Sequence, residues 1–139
     1  CICNDRRWPE TFRVMGLQGV ELVVLGYNTP KHYPQAPEHD YLQEFHNHLV
    51  LQAAAYQNGT WIVGVAKAGK EEDCDLIGGT CIIAPTGEIV AEAITKKDEL
   101  VVAQIDLNEG SLIRENIFNF NLHRHPEEYQ LLTTTKVHK

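Results

Sequence analysis

Cys1-Ile2-Cys3-Asn4-Asp5-Arg6-Arg7-Trp8-Pro9-Glu10 opens the chain, and its reading decides the fold. The apolar start reads as a buried strand that stops on a cysteine, with an Asn-Asp turn behind it. Pro9 then marks the first turn of a helix, where its missing N–H would have had no partner anyway. A cysteine where a strand turns into a helix is held by tight backbone geometry, close to helical amides that favour a thiolate or an oxyanion. This is the logic of a nucleophile elbow. The competing reading makes Cys3 a small buried hydrophobe, as most free cysteines are.

Working outward, Trp8, Phe12, Val14 and Met15 give the next segment a helical spacing, with Gly16 and Gly19 flanking its stop. Residues 20–25 are β-rich and apolar and run into the turn-prone Gly26-Tyr27-Asn28-Thr29-Pro30. Pro30, Pro34 and Pro37 make residues 30–38 a loop. Asp40 is placed to cap a long helix ending near Asn58, with Gly59 as its stop. Residues 61–66, 80–84, 88–93 and 100–105 follow as strand candidates, with Pro85-Thr86-Gly87 as a hairpin turn. Residues 69–73 read as a solvated acidic edge. Asn108 could cap a short helix to about Phe118, and residues 119–139 read as an extended tail. This order suits a layered α/β sandwich.

The 139 residues amount to one domain, long enough for a core. A formal net charge of −7 argues against nucleic acid and anionic membrane as partners. No apolar run approaches the ~20 residues of a membrane span, and no secretion signal is visible, so the expected location is cytoplasmic. Cys1, Cys3, Cys74 and Cys81 lack metal spacing and would be reduced thiols there. His46 and His48, two apart on a helix, do not share a face. Neither a metal nor any other cofactor is expected.

The run from Cys3 to Glu10 resembles the nucleophile motif of the nitrilase superfamily of carbon–nitrogen hydrolases, a cysteine followed by x-Asp-x-Arg-aromatic-Pro-Glu. Asn4-Asp5-Arg6-Arg7-Trp8-Pro9-Glu10, Gly26-Tyr27-Asn28-Thr29-Pro30, Ile117-Phe118-Asn119-Phe120 and His123-Arg124 together resemble the N-carbamoyl-D-amino-acid amidohydrolases. The resemblance implies an αββα sandwich, two facing sheets with helices outside, of which this chain would be the C-terminal half. It also implies a homo-oligomer, the tail reaching across a subunit interface. Cys3 becomes the nucleophile, and the main-chain N–H of Asn4 an oxyanion donor. The family's base glutamate and oxyanion lysine come from polypeptide before the nucleophile, so an N-terminal half absent from this chain is expected to be required for activity. Gly78-Gly79-Thr80 resembles a Gly-x-Ser segment of the superfamily, with Thr80 in place of Ser.

Arg6 and Arg7 suit a substrate that carries a carboxylate beside the bond to be cut, because a planar guanidinium clamps a carboxylate bidentately. The alternative for Arg6 is an exposed pair with Glu10 at i,i+4, worth little. Arg7 belongs to the general motif whatever the substrate, which leaves Arg6 as the more substrate-specific of the two. Asn28 and Thr29 leave the sheet beside the nucleophile, where α/β folds place ligand contacts. Their alternative is turn chemistry ahead of Pro30. Asp5 is read as structural, holding the elbow.

The expected reaction converts an N-carbamoyl-D-amino acid to the D-amino acid, CO2 and ammonia. Three rivals stand beside it. Cys1 could be an N-terminal nucleophile with its own α-amine as base, the chain could be an inert fragment, or the substrate could be that of another amidase or ureidopropionase.

Overall fold

The computed structural model describes residues 1–137. Its centre is a sheet of four strands in the order β1-β2-β5-β6: β1 (Leu22–Tyr27), β2 (Trp61–Ala66), β5 (Cys81–Ile83) and β6 (Ile89–Glu92). β1 and β2 run parallel, from Leu22 opposite Trp61 to Tyr27 opposite Ala66, and the remaining pairs are antiparallel. Ile2 adds a single parallel bridge to Gly26 on the free side of β1, which carries the nucleophile-motif segment onto the sheet edge. The expected strand before Cys3 is therefore one bridge long.

Alternation along β1 buries Val23, Leu25 and Tyr27 on one face. Helices α1 (Pro9–Leu17) and α2 (Gln43–Asn58) cover that face, and Phe12, Leu51, Ala54 and Ala55 complete the core with Ile62 and Ile83. The opposite face carries a smaller cluster, in which Val101, Ala103 and Ile105 lie over Trp61, Ile82 and Ala84. Residues 100–105 reach that position as extended chain without a ladder, so the expected fourth strand of that run is absent among the described residues. Trp61 Nε1 donates to the Asp106 carbonyl (2.8 Å) and pins the end of the segment. Helices on one face of a mixed sheet give the α/β layering expected from the sequence.

Two local readings are corrected here. Residues 69–73 fall in a hairpin, β3 (Ala68–Glu71) paired with β4 (Cys74–Ile77), whose turn is tightened by Glu72 at φ 53°. α2 begins at Gln43 after a 3-10 turn (Pro37–Leu42), and Asp40 does not cap it. The Asp40 carboxylate instead accepts the Tyr33 N–H (2.8 Å) and lies 2.7 Å from His32 Nδ1, a local alternative to capping open to any Asp. The helix does end on Gly59, at φ 56° and ψ 48°, as a left-handed C-terminal stop requires.

The tail is not extended. After α3 (Glu109–Leu112) and a π-helical continuation (Ile113–Phe118), Asn119 turns left-handed and its side chain accepts the Leu122 N–H, starting α4 (Phe120–His123). A 3-10 turn at Pro126–Tyr129 and α5 (Gln130–Thr134) follow. Phe118 meets Tyr56 edge to face at 5.0 Å, and the Arg13 guanidinium sits 4.4 Å over the Phe120 ring, so the segment folds back onto α1 and α2. Residues 138 and 139 of the expected tail lie outside the described residues.

Candidate active site

The elbow is built from its own backbone. Cys3 sits at φ 43°, a left-handed conformation unusual for a residue with a Cβ. Asp5 holds the turn twice: its carboxylate accepts the Ile2 N–H (3.0 Å), and its own N–H donates to the Ile2 carbonyl (3.0 Å). The segment Cys3–Arg7 is a 3-10 turn, and an extended Trp8 separates it from α1, so Cys3 lies one turn further from α1 than the sequence suggested. Asn4, the second residue of that turn, has a main-chain N–H with no intrahelical acceptor.

Arg6 is the buried hub. With 3% of its surface exposed, it donates from Nε to Asn47 Oδ1 (3.0 Å), from one terminal nitrogen to the Cys3 carbonyl (2.8 Å) and from the other to Thr29 Oγ1 (2.6 Å). Its guanidinium carbon also lies 4.3 Å from the centre of the Tyr27 ring. Burial pulls Arg6 below the usual arginine range; Tyr27 and Cys3 act the other way, and Arg7 adds to the lowering. Glu10 takes no part in this bonding, and among the described residues Arg6 has no carboxylate partner.

Of the residues singled out in the sequence, Cys3, Arg6 and Thr29 are thus joined directly. Thr29 is buried, and its carbonyl also accepts the Ile77 N–H (3.0 Å), so it is more than a turn residue ahead of Pro30. Asn28 is exposed at the end of β1 and Arg7 is exposed on the elbow. A cleft of about 310 Å³ is lined by Arg6 and Arg7 together with His39, Gln43, His46 and Asn47. Cys3 lies outside this lining, joined to it through Arg6. Thr80 Oγ1 accepts the Ala66 N–H (2.9 Å), which locks the double-glycine turn at Gly78 and Gly79 to the end of β2.

Sequence reasoning missed Asn47, Tyr27, His39 and His46. Asn47 had left a signal, because it falls in phase with the buried positions Leu51, Ala54, Ala55 and Asn58 of α2. A polar residue on a buried stripe needs partners. Tyr27 is likewise in phase with Val23 and Leu25 on β1; its hydroxyl donates to the Gly79 carbonyl (2.8 Å) and burial pushes it up to about 12. Among the described residues no group of three His, Cys, Asp or Glu side chains could hold a metal ion, and no helix is long and apolar enough to cross a membrane.

The elbow is thus a left-handed cysteine at the edge of an α/β sheet, its carbonyl bonded to a buried arginine. The chain belongs to the carbon–nitrogen hydrolase family, whose model matches residues 1–115. It is 34% identical over 142 residues to an N-carbamoylputrescine amidase of Solanum tuberosum, covering 96% of this chain and 46% of that protein. It is 28% identical over 116 residues to a 2-oxoglutaramate amidase of Bacillus subtilis, covering 84% of this chain and 40% of that protein. A carbon–nitrogen hydrolase structure from Helicobacter pylori superposes with a TM-score of 0.83 at 23% identity, over 98% of this chain and 48% of that one. The chain spans about half the length of the curated relatives it matches.

Proposed function

We propose that Cys3 is the nucleophile of an amidohydrolase acting on N-carbamoyl amino acids. The thiolate adds to the carbamoyl carbon, the carbon–nitrogen bond breaks and the amine leaves, and water hydrolyses the carbamoyl-thioester to CO2 and ammonia. The Asn4 main-chain N–H supports the oxyanion, a role typically worth ~3 kcal/mol. Turnover requires a base glutamate and a lysine from polypeptide outside these residues.

The observation that carries this reading is the buried Arg6 guanidinium, held only by neutral acceptors, next to Arg7 and opening on a cleft that also carries His39 and His46. A buried cation without a counter-charge is costly, and a substrate carboxylate supplies one. Arg6 keeps one N–H on each terminal nitrogen for that contact. Arg7, exposed on the cleft wall, takes the outer share; Asn28 and Thr29 bind the remaining polar groups. The D configuration is supported by the motif resemblance alone.

A second reading follows the relatives that are N-carbamoylputrescine amidases. An ammonium-bearing substrate would have to approach Arg6 and Arg7, so charge favours the carboxylate. The test compares N-carbamoyl-D-amino acids with N-carbamoylputrescine in the whole enzyme, together with Arg7→Glu. Preference for the carboxylate substrate, with KM raised about tenfold or more in Arg7→Glu for that substrate alone, is the expected result. Preference for the cationic substrate would overturn the reading. The same resemblance supports a homo-oligomer. The groove of about 890 Å³ between α1, α2 and the folded tail is a surface where copies could meet, and light scattering of the pure protein checks it.

A further inference from the structure

Asn47 stands 41 residues from Arg6 in the chain and three turns before the end of α2, yet its side chain is in contact with the elbow. Only 3% of its surface is exposed. An arginine Nε can only donate, so the oxygen of the Asn47 amide must face it. The amide nitrogen then faces the Tyr27 hydroxyl, to which it donates at 3.0 Å. Tyr27 is left to give its own proton to the Gly79 carbonyl at 2.8 Å. Every link has one direction. Donation runs outward from Arg6, through Asn47 and Tyr27 to the double-glycine turn on one side and to the Cys3 carbonyl and the Thr29 hydroxyl on the other.

We propose that Asn47 is a positioning residue for the nucleophile: its amide orients the Arg6 guanidinium, which in turn holds Cys3 in its left-handed conformation and Thr29 beside it. Two facts support the direction of control. Arg6 has no carboxylate partner among the described residues, so Asn47 Oδ1 is the only acceptor recorded for its Nε. The Cys3 backbone at φ 43° is also strained for a residue with a Cβ, and the Arg6 bond to its carbonyl is a contact that would be lost on relaxation. Removing the acceptor leaves a buried N–H of a charged group unpaired, which drives the guanidinium to reorient.

The inference rests on the reading of Cys3 as nucleophile, and its test separates the two. Asn47→Leu removes both partners of the amide at similar size. Asn47→Asp keeps an acceptor for Arg6, gives up the donor to Tyr27 and adds a charge beside Arg6, so it is judged by Cys3 alkylation, which involves no substrate carboxylate. Both are compared with the parent enzyme in the rate of Cys3 alkylation by iodoacetamide, resolved by peptide mass spectrometry, and in kcat and KM. Far-UV circular dichroism reports the fold.

Asn47→Leu is expected to slow Cys3 alkylation and lower kcat by about tenfold with KM less affected, and Asn47→Asp to return the alkylation rate to within about threefold of the parent. A folded Asn47→Leu with the parent's Cys3 rate, or an Asn47→Asp as slow as the leucine variant, overturns the proposal. If the leucine variant does not fold, Asn47→Asp decides: a near-parent alkylation rate supports the proposal and a tenfold loss refutes it. A parent enzyme in which Cys3 reacts no faster than Cys74 counts against the nucleophile reading instead, while the ratio of variant to parent still tests Asn47.

Discussion

Replacing Thr29 by valine asks whether its hydroxyl belongs to the elbow or merely to a turn. Valine keeps the β-branch and nearly the same volume, so the extended backbone before Pro30 is undisturbed. What disappears is the acceptor 2.6 Å from the Arg6 guanidinium, between two side chains that are 4% and 3% exposed. The orphaned N–H is left buried. A buried hydrogen bond to a charged group is worth about 1.5–3 kcal/mol. A methyl in place of the hydroxyl returns up to about 1 kcal/mol of apolar burial, for a net loss of about 0.5–2 kcal/mol after the full offset. Thr29→Ser keeps the oxygen and loses one methyl, a cost of about 0.8 kcal/mol. Urea denaturation followed by circular dichroism, compared at constant m-value, measures both. Valine should be the more destabilised. If valine proves as stable as the parent, or serine falls below valine, the hydroxyl is not holding Arg6.

Other expectations concern the frame and its titration. A Cβ added at Gly110 would run into the Gly59 carbonyl oxygen, main chain that cannot turn aside, at the seam where Arg114 also donates to that oxygen. Gly110→Ala should therefore cost about 2–3 kcal/mol in thermal or chemical denaturation. Tyr27 is pushed from 10.0 to about 12 by burial, so the folded state holds this proton more tightly than the unfolded chain does. Its contribution is complete below pH 10 and falls away as pH rises through 12, about 2–3 kcal/mol in all. Cys81, pushed from 9.0 to about 11 by burial and Glu92, acts in the same sense. Unfolding free energies between pH 9 and 12 check this, and Tyr27→Phe should flatten the upper part of the fall.

Much of the frame was legible because its signals are local. The apolar run before Gly26, the stop at Gly59 and the turn at Pro85-Thr86-Gly87 each specify their conformation within a few residues. The β3–β4 hairpin was not legible, because residues 69–73 of this edge ribbon are mostly exposed and carry no alternation to read. Asp40 looked like a cap, but its carboxylate is taken up by the Tyr33 N–H of the preceding loop. The tail looked extended because its apolar residues lack a period of their own; they are ordered by α1 and α2 instead.

At the site, the motif drew attention to Cys3, Asn4, Arg6 and Arg7 and the strand end to Asn28 and Thr29, and of these the structure joins Cys3, Arg6 and Thr29. The sequence could not show that Arg6 faces inward, since its partners lie 23 and 41 residues away. Burial separates the two arginines, Arg6 at 3% exposed and Arg7 open to solvent. Arg6 braces the elbow, and Arg7 presents its charge to solvent.

The most direct test of the central claim is to quench the whole enzyme during turnover of an N-carbamoyl amino acid and map the mass of its cysteine peptides. An acyl-sized increment confined to the peptide carrying Cys3, assigned there by fragmentation and lost in Cys3→Ala but kept in Cys1→Ala, is the expected result. An adduct on Cys1, or undiminished turnover by Cys3→Ala, would contradict it.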